Sequence, residues 1–276
     1  MPSNSWPRSA WLVVALLWPV AVLNYLDRQM LSTMGLSIKA DITELQSAEM
    51  FGRLMAIFMW VYAFCSPLGG FIADRLNRKW LIVASLGVWL GVTLLMGRAH
   101  DSHTLYALRA VMGVSEAFYI PAGLALIADC HGSATRSLAV GLHMSGIYMG
   151  QALGGVGGWV AQEISWRAAF VGCGVVGVAY AFVLMVWLKE KSREPAQPIS
   201  SAKTSANDSV NWFSFAILLL CFSLPSLPGW AVKNWLPTLL QDRFHIAQAL
   251  SGLWATMTNA GAAFLGVLLG GRLSDF

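Results

Sequence analysis

Two copies of one short pattern decide how this chain is organised: GGFIAD at residues 69–74 and GGRLSD at residues 270–275. Both match Gly-Gly-x-apolar-small-Asp, and each follows a long apolar run. The second copy begins 201 residues after the first. Self-similarity at a fixed separation indicates repeated structural units. We therefore predict that the first copy ends the second helix of one bundle, and that the second copy ends the second helix of another.

The rest of the composition is that of a membrane protein. Of the 276 residues, 57% are hydrophobic and only 12% are charged, whereas a soluble domain carries about 25% charged residues. Apolar windows of spanning length occur at residues 11–34, 50–73, 80–97, 104–128, 138–161, 168–188, 213–240 and 252–271. Backbone in lipid must satisfy its own hydrogen bonds, and these windows are too long for barrel strands. The predicted fold class is therefore an all-α membrane protein with eight spans.

One polar stretch interrupts the apolar pattern, at residues 189–212, where Pro, Ser and mixed charges are concentrated. Such a composition is typical of a linker. We predict a six-helix bundle at residues 1–188, a cytoplasmic linker at residues 189–212, and the first two helices of a second bundle at residues 213–276. Compared with a plan of two six-helix repeats, the last four helices are missing. We therefore expect the chain to be truncated after its eighth helix.

The positive charges indicate a topology. The net charge is +4, but the 18 Lys and Arg residues are scattered between apolar runs, so we predict no nucleic-acid partner. With the amino terminus in the cytoplasm, ten of them fall in cytoplasmic loops and five in outer loops, which favours that orientation. We predict a multi-pass protein of the cell membrane. The four cysteines have no metal-ligand spacing, and we predict neither a metal site nor a cofactor.

Two of the 14 acidic residues, Asp27 and Glu116, lie within the predicted spans, where charge usually has a function. Asn24, Asp27 and Arg28 form one polar stripe on the first helix. Asp27 and Arg28 are chain neighbours and do not face each other, so each needs a partner from another helix, and we predict Glu116 as the partner of Arg28. Burial favours a neutral carboxyl and a nearby cation favours a charged one. A movable Arg28 would make Glu116 a proton switch; a permanent pair would only pin the bundle.

The fourth and fifth predicted helices each carry a patterned face. Arg109, Gly113, Glu116, Tyr119 and Gly123 share one face of the fourth helix. The fifth helix has Gly146, Gly150, Gly154 and Gly158 at four-residue spacing, which favours close helix packing. Beside that stripe, we expect His143, Tyr148 and Gln151 to line a cavity.

The seventh predicted helix contains Pro225, Pro228, Gly229 and Pro237, which predicts a kink or a local break and a candidate gate. Lys233 follows this segment. Its position near the predicted span end favours a side chain that reaches the membrane surface.

Several of these segments resemble the major facilitator superfamily. The run GFIADRLNRK at residues 70–79 resembles the loop between helices 2 and 3 of that family. The run NYLDR at residues 24–28 looks like helix 1 of the anion:cation symporters, and Asn-Tyr-x-Asp-Arg is shared by the Spinster-like lipid carriers. Residues 109–119 resemble helix 4 in both groups. Asn77 with residues 127–129 looks more Spinster-like, and residues 235–237 look more like the symporters.

This resemblance implies a major facilitator fold and assigns roles to residues. Together with the patterns above, it gives three predicted sets. The predicted substrate-binding residues are Arg28, Asn24, Tyr25, Tyr119, His143 and Gln151. The predicted proton-coupling residues are Asp27 and Glu116, and the predicted cytoplasmic gate consists of Asp74, Arg75 and Arg78.

The leading functional hypothesis is a proton-coupled secondary transporter for a small organic anion such as a sugar acid or carboxylate. The expected partners are that substrate, a coupling proton and the lipid bilayer. One alternative is a Spinster-like exporter of lipids or lipophiles. Another is a truncated, non-transporting fragment, or a half that needs a missing carboxy-terminal half. An enzyme is not predicted, because Asp27 alone supplies no catalytic pair at membrane depth.

Overall fold

The computed structural model describes residues 8–189 and 212–273, and every regular element in them is helical. The first part contains nine α-helices and one turn of 3-10 helix at Thr43–Leu45. The α-helices of the two parts are α1 (Arg8–Thr33), α2 (Gly35–Asp41), α3 (Ala48–Ala73), α4 (Arg78–Met96), α5 (Ser102–Glu116), α6 (Tyr119–Cys130), α7 (Ser133–Leu153), α8 (Gly155–Glu163), α9 (Trp166–Trp187), α10 (Trp212–Phe244) and α11 (Gln248–Leu273).

The predicted all-α membrane fold is confirmed. Helices occupy all eight apolar windows. Within residues 8–189 and 212–273, six helical stretches are long and apolar enough to cross a membrane. These stretches are residues 10–33, 48–73, 78–96, 102–130, 166–187 and 212–244. Most of the predicted linker lies outside the described residues, as does the second copy of the repeated pattern from Ser274 onward.

The fourth predicted helix is interrupted one turn before Pro121, and the proline accounts for the interruption. Proline has no N–H and its ring clashes with the carbonyl four residues earlier, which here belongs to Ala117. Helix α5 accordingly ends at Glu116 and α6 begins at Tyr119. Beside the break, the Ser115 carbonyl accepts a hydrogen bond from the Ser85 hydroxyl at 2.5 Å and a longer one from the Phe118 N–H at 3.4 Å. Glu116 is thus placed at a helix end inside the bundle.

The fifth predicted helix is also interrupted, at Gly154 between α7 and α8. Threonine hydroxyls from two other helices satisfy carbonyls beside the break. Thr33 of α1 donates to the Gly154 carbonyl at 2.9 Å, and Thr256 of α11 donates to the Ala152 carbonyl at 2.9 Å. The interruption is therefore stabilised from both sides of the bundle.

The seventh helix was predicted to have a kink or a local break, and the structure contradicts the break. Helix α10 runs without interruption from Trp212 to Phe244, across Pro225, Pro228 and Pro237. Proline inside a membrane helix is tolerated where local adjustments and neighbouring groups satisfy the freed backbone. A gate that depends on a break in this helix is therefore not present in the structure.

The predicted packing role of the fifth-helix glycines is confirmed. A Cβ on Gly146 would lie 2.8 Å from the Trp18 carbonyl oxygen, and one on Gly150 would lie closer still to the Val22 carbonyl oxygen. Helix α7 therefore touches the backbone of α1. On α8, a Cβ on Gly155 would lie 2.6 Å from the Thr256 hydroxyl of α11. The same glycine-rich segment thus holds α1 on one side and α11 on the other.

Two carboxylates cap the start of α5 outside the spans. The Asp101 side chain accepts a hydrogen bond from the Thr104 N–H at 2.8 Å, and that contact lowers the pKa of Asp101. Glu44 accepts from the Ser102 N–H at 2.9 Å, and its pKa is lowered mainly by its hydrogen bonds with Ser102. Carboxylates with a lowered pKa stabilise the fold above their ordinary pKa, and that contribution is lost as the pH falls through the lowered value.

We predict that Gly150→Ala destabilises the protein while Gly172→Ala does not. The new Cβ at residue 150 would collide with the α1 backbone, and overpacking of this kind costs about 1–3 kcal/mol. Gly172 in α9 is the matched control, because a Cβ at this residue would meet no atom within 4 Å apart from its chain neighbours and the nearby backbone of its own helix, and alanine favours a helix. Thermal unfolding in detergent, followed by tryptophan fluorescence, measures both. Equal unfolding temperatures for the two variants would contradict the packing assignment.

Candidate functional site

A cavity of about 490 Å³ lies between α1, α3, α5, α7 and α10. Three cationic side chains line it: Arg28 of α1, Arg109 of α5 and Lys233 of α10. Its volume is within the range of about 300–1,000 Å³ typical of small-molecule sites. The cavity is thus a candidate binding site in which positive charge predominates.

Aromatic side chains surround the Arg28 guanidinium. Its Cζ atom lies 4.8 Å from the ring centroid of Tyr25 and 4.7 Å from those of Phe58 and Tyr62. Each distance is short enough for a cation–π interaction. These three rings also line the cavity, so the guanidinium is held at the cavity wall by aromatic faces.

A buried carboxylate binds Arg28 from behind that wall. The Arg28 Nε and Nη2 atoms both lie 2.5 Å from Glu116 Oε2, and the Asn24 amide donates to the same oxygen at 2.8 Å. Glu116 and Asn24 are fully buried. The predicted pairing of Arg28 with Glu116 is therefore confirmed. The second oxygen of Glu116 has no hydrogen-bond partner among the described residues.

Arg109 is a second buried cation at the cavity. Its Cζ atom lies 4.8 Å from the centroid of the same Phe58 ring that Arg28 contacts. Its Nη1 donates to the Met112 sulfur at 3.3 Å, and its Nε has no partner in the described part of the chain. Within that part, no carboxylate oxygen lies within ion-pair distance of Arg109.

Lys233 is the third cation, and the structure corrects its predicted position. The sequence favoured a side chain that reaches the membrane surface, but Lys233 lines the cavity, with its Nζ 5.3 Å from the centroid of the Tyr25 ring. The residue is partly buried, and its contact with the Tyr25 ring places the side chain against α1. Its backbone carbonyl accepts from the Gln29 amide at 3.4 Å.

Asp27 faces away from this cavity. It is fully buried, and the Thr93 hydroxyl of α4 donates to its Oδ2 at 3.1 Å. Its Oδ1 has no hydrogen-bond partner among the described residues. Asp27 and Arg28 thus interact with partners on different helices, as expected from their adjacent positions on α1.

The structure divides the predicted substrate-binding residues. Tyr25, Arg28 and Gln151 line the cavity, but Asn24, Tyr119 and His143 do not. The Tyr119 hydroxyl donates to the Leu17 carbonyl at 3.1 Å, and the buried His143 ring lies 5.9 Å from the Tyr119 ring. Helical periodicity placed these side chains on interior faces correctly, but those faces pack against other helices rather than the cavity.

The residues of the predicted gate lie at the ends of α3 and α4. Arg78 is buried and forms an ion pair with Asp129 of α6; Asp74 lies 3.9 Å from it. Arg75 instead packs over the Phe71 ring, with its Cζ 3.5 Å from the ring centroid. Arg78 and Asp74 are thus brought together, and Asp129 is a partner that the sequence did not assign to the set.

The opposite ends of the helices are joined around Gln248, the first residue of α11. The Gln248 side chain accepts from the Ser37 N–H at 3.0 Å and donates to the Gly158 carbonyl at 3.2 Å. The next residue, Ala249, donates its N–H to the Gln162 side chain at 2.9 Å. Helix α11 is therefore tied to α2 and α8 at this end.

Comparisons with known proteins agree with this architecture. The family model described as Major Facilitator Superfamily matches residues 17–276. A probable galactarate/D-glucarate transporter of Bacillus subtilis (strain 168) is 32% identical over 195 residues, covering 68% of this chain and 42% of that protein. A D-galactonate transporter of Escherichia coli O6:H1 is 25% identical over 297 residues, which cover 97% of this chain and 67% of that protein.

A solved structure has the same fold. The crystal structure of a bacterial homolog to the human lysosomal transporter Spinster, in an inward-facing and unoccupied conformation, superposes with a TM-score of 0.78 at 22% identity. The match covers 97% of this chain and 63% of that one. This chain thus spans between about two fifths and two thirds of the length of these three proteins.

The apolar helices and the matching fold define a multi-pass membrane protein. The family match extends over most of its length, and the chain belongs to the Major Facilitator Superfamily.

We predict that Glu116→Gln lowers stability strongly and that Arg28→Gln partly restores it in the double variant. The single change leaves a buried guanidinium without its counter-charge, which costs about 3–5 kcal/mol. Glu49→Gln is the matched control, since Glu49 forms an exposed ion pair with Arg53 at 2.6 Å and such pairs contribute about 0–1 kcal/mol. A double-mutant cycle on unfolding in detergent measures the coupling. Purely additive effects of the two changes would show that the pair is not coupled.

Proposed function

We propose that this protein is a secondary transporter that moves a small organic anion, such as a sugar acid or carboxylate, with a proton. The observation that carries this proposal is the presence of three cations, Arg28, Arg109 and Lys233, around one cavity between the helices. The names of two relatives, which refer to galactarate, D-glucarate and D-galactonate, support the same substrate class. Relatives named as transporters also support transport rather than catalysis.

The charge balance of the cavity favours an anion. Buried cations are expensive unless they are paired. Arg28 is compensated by Glu116, but Arg109 and Lys233 have no carboxylate within ion-pair distance among the described residues. An anionic ligand in the cavity would supply the missing compensation. Hydrogen bonds from guanidinium and ammonium groups to an anion are also stronger than hydrogen bonds between neutral groups.

The Arg28–Glu116 pair suggests how the anion and the proton are coupled. The guanidinium touches Glu116 on one side and borders the cavity on the other. An anion that draws Arg28 toward the cavity would leave Glu116 without its cation in an apolar interior, and a proton would then replace the lost charge. Asp27, which binds Thr93 on a different helix face, is proposed as a second proton-coupling residue.

The proposed orientation places the amino terminus in the cytoplasm of a cell membrane. Under this orientation, the Arg78–Asp129 pair lies at the cytoplasmic ends of α4 and α6, and the Gln248 contacts lie at the outer side. Asp74, Arg75 and Arg78 then form the proposed cytoplasmic gate. The outer contacts between α11 and α8 would hold that side closed while the cytoplasmic side opens.

A Spinster-like exporter of lipids is the second candidate. Its support is the similar fold of the bacterial Spinster homolog and the aromatic part of the cavity wall, formed by Phe58, Tyr62 and Trp230. A lipid needs an apolar volume for its chain, whereas the described wall combines these rings with three cations and the amides of Gln151 and Asn234. The polar wall therefore favours the small anion.

Binding of galactonate and lysophosphatidylcholine to the purified chain, measured by isothermal titration calorimetry, separates the two candidates. We expect galactonate to bind and Arg109→Gln to weaken it about tenfold to a hundredfold, because hydrogen bonds to charged groups contribute about 1.5–3 kcal/mol. Arg53→Gln is the control, since Arg53 is exposed on α3 and pairs with Glu49 outside the cavity. Binding of the lysolipid without galactonate would refute the proposed substrate class.

We expect a pH gradient to drive galactonate uptake into proteoliposomes, and Glu116→Gln to abolish this response. The amide cannot release a proton, so the coupling step is removed. Exchange of labelled for unlabelled galactonate without a gradient is the internal control, because it requires a folded carrier but no net proton movement. Gradient-driven uptake by Glu116→Gln at the wild-type rate would refute the coupling role.

A further inference from the structure

An apolar groove of about 310 Å³ lies between α4 and α9, away from the cationic cavity. Trp80 and Phe182 line it, and both side chains are more than half exposed. Gly87 leaves part of it open, because a Cβ there would meet no atom within 4 Å apart from its chain neighbours and the nearby backbone of its own helix. The groove shares neither a residue nor a helix with the cavity. It is therefore a separate feature that the proposed transport does not use.

The groove runs inward from one end of α4. Trp80 is the third residue of that helix, and tryptophan in a membrane protein favours the headgroup level. From Trp80 to Gly87 the helix advances about 10 Å, at about 1.5 Å per residue. Half of the hydrocarbon core is about 15 Å thick. A groove of this length therefore extends from the membrane surface about two thirds of the way to the midplane.

The width of the groove suits a hydrocarbon chain. Spread over about 10 Å, its volume gives a cross-section of about 30 Å² and thus a width of about 6 Å. An α-helix with its side chains is about 10–12 Å across. The groove therefore admits an extended acyl chain but not a helix of another protein.

Two lysines lie at the membrane-surface end of the groove. The Lys79 Nζ is 5.2 Å from the centroid of the Trp80 ring. Helices α4 and α9 are antiparallel, since a Cβ on Gly174 would lie 2.6 Å from the Leu94 Cβ and one on Gly177 would lie closer still to Leu90. The exposed Lys189, which follows the end of α9, is thus at the same end as Lys79. Basic residues at this level attract anionic headgroups.

We propose that this groove binds one anionic phospholipid, with an acyl chain between α4 and α9 and the phosphate group at Lys79 and Lys189. The apolar wall removes the chain from contact with other lipids, and the lysines select the charge of the headgroup. The lipid is a bound component of the bundle rather than a transported substrate, because the groove has no residue in common with the cavity. This inference is independent of the proposed transport.

Native mass spectrometry of the purified chain in detergent tests the proposal, with phosphatidylglycerol and phosphatidylcholine that carry the same acyl chains. We expect phosphatidylglycerol to bind about fivefold to thirtyfold more tightly, the effect of one or two lysines near a membrane surface. Gly87→Leu should weaken both lipids at least about tenfold, because the new side chain fills the groove. A double variant, Lys79→Gln with Lys189→Gln, should bring the two dissociation constants together and leave that of phosphatidylcholine unchanged.

Two matched controls accompany these variants. Gly172→Leu adds the same side chain to α9, where a Cβ also has open space, but Gly172 lines a different groove beside α1 and α8. Lys39→Gln removes a lysine at the far end of α9, because Lys39 lies on α2 and Asp41 of that helix forms an ion pair with Arg167. Both controls should retain the preference for phosphatidylglycerol.

Three results would overturn the proposal. Equal affinity of the unaltered chain for the two lipids would exclude an anionic headgroup site. Unchanged binding by Gly87→Leu would exclude the groove, as would a doubled mass that this variant abolishes, since a second copy of the chain would then be the occupant. If Gly87→Leu does not fold, the lysine variant decides, because a full preference for phosphatidylglycerol in that protein would remove the role of Lys79 and Lys189.

Discussion

The site depends on one ion pair, a carboxylate and a guanidinium that are buried together in an apolar helix bundle. Neither Glu116 nor Arg28 could remain charged at that depth alone, because desolvation of an isolated ion costs far more than one helix contact returns. Their contact at 2.5 Å joins α1 to the end of α5. The same guanidinium contacts the aromatic rings of Tyr25, Phe58 and Tyr62, which line the cavity.

Close packing of α7 against α1 holds the helix that carries Arg28 in place. Helix α7 lies so near to α1 that a methyl group on Gly150 would reach the Val22 carbonyl, and small residues at such contacts let membrane helices approach through their backbones. The same helix carries Gln151 into the cavity wall. The interruption at Gly154, with the hydroxyls of Thr33 and Thr256 on nearby carbonyls, then lets α8 meet α11. Packing and site geometry thus come from one glycine-rich segment.

The sequence predicted the helices because apolar length is a local signal, and it predicted the central ion pair because few charged groups lie within the spans. Apolar length specifies a span, and a buried Arg28 has few available carboxylates besides Glu116. The sequence analysis did not predict the interruption at Ala117, although Pro121 was a signal for it, since proline lacks the donor that the Ala117 carbonyl requires. Phe58, Tyr62 and Lys233 were missed for another reason: periodicity identifies a face of a helix, but the neighbours it meets depend on packing of the whole bundle. For that reason Tyr119 and His143 were assigned to a cavity that they do not reach.

The contacts around Gln248 and those around Arg78 differ in their chemistry. At one end, Gln248, Ala249 and Gly158 interact through neutral amides and backbone groups. At the other, Arg78 is joined to Asp129, a carboxylate that is about half exposed (53%). Dissolved salt screens exposed charges over about 8–10 Å at 0.1–0.15 M ionic strength and has little effect on neutral hydrogen bonds. Higher ionic strength therefore acts on the exposed side of the Arg78–Asp129 pair and on the Arg167–Asp41 pair, which joins α9 to the end of α2, whereas the amide and backbone hydrogen bonds of Gln248 are largely insensitive to salt.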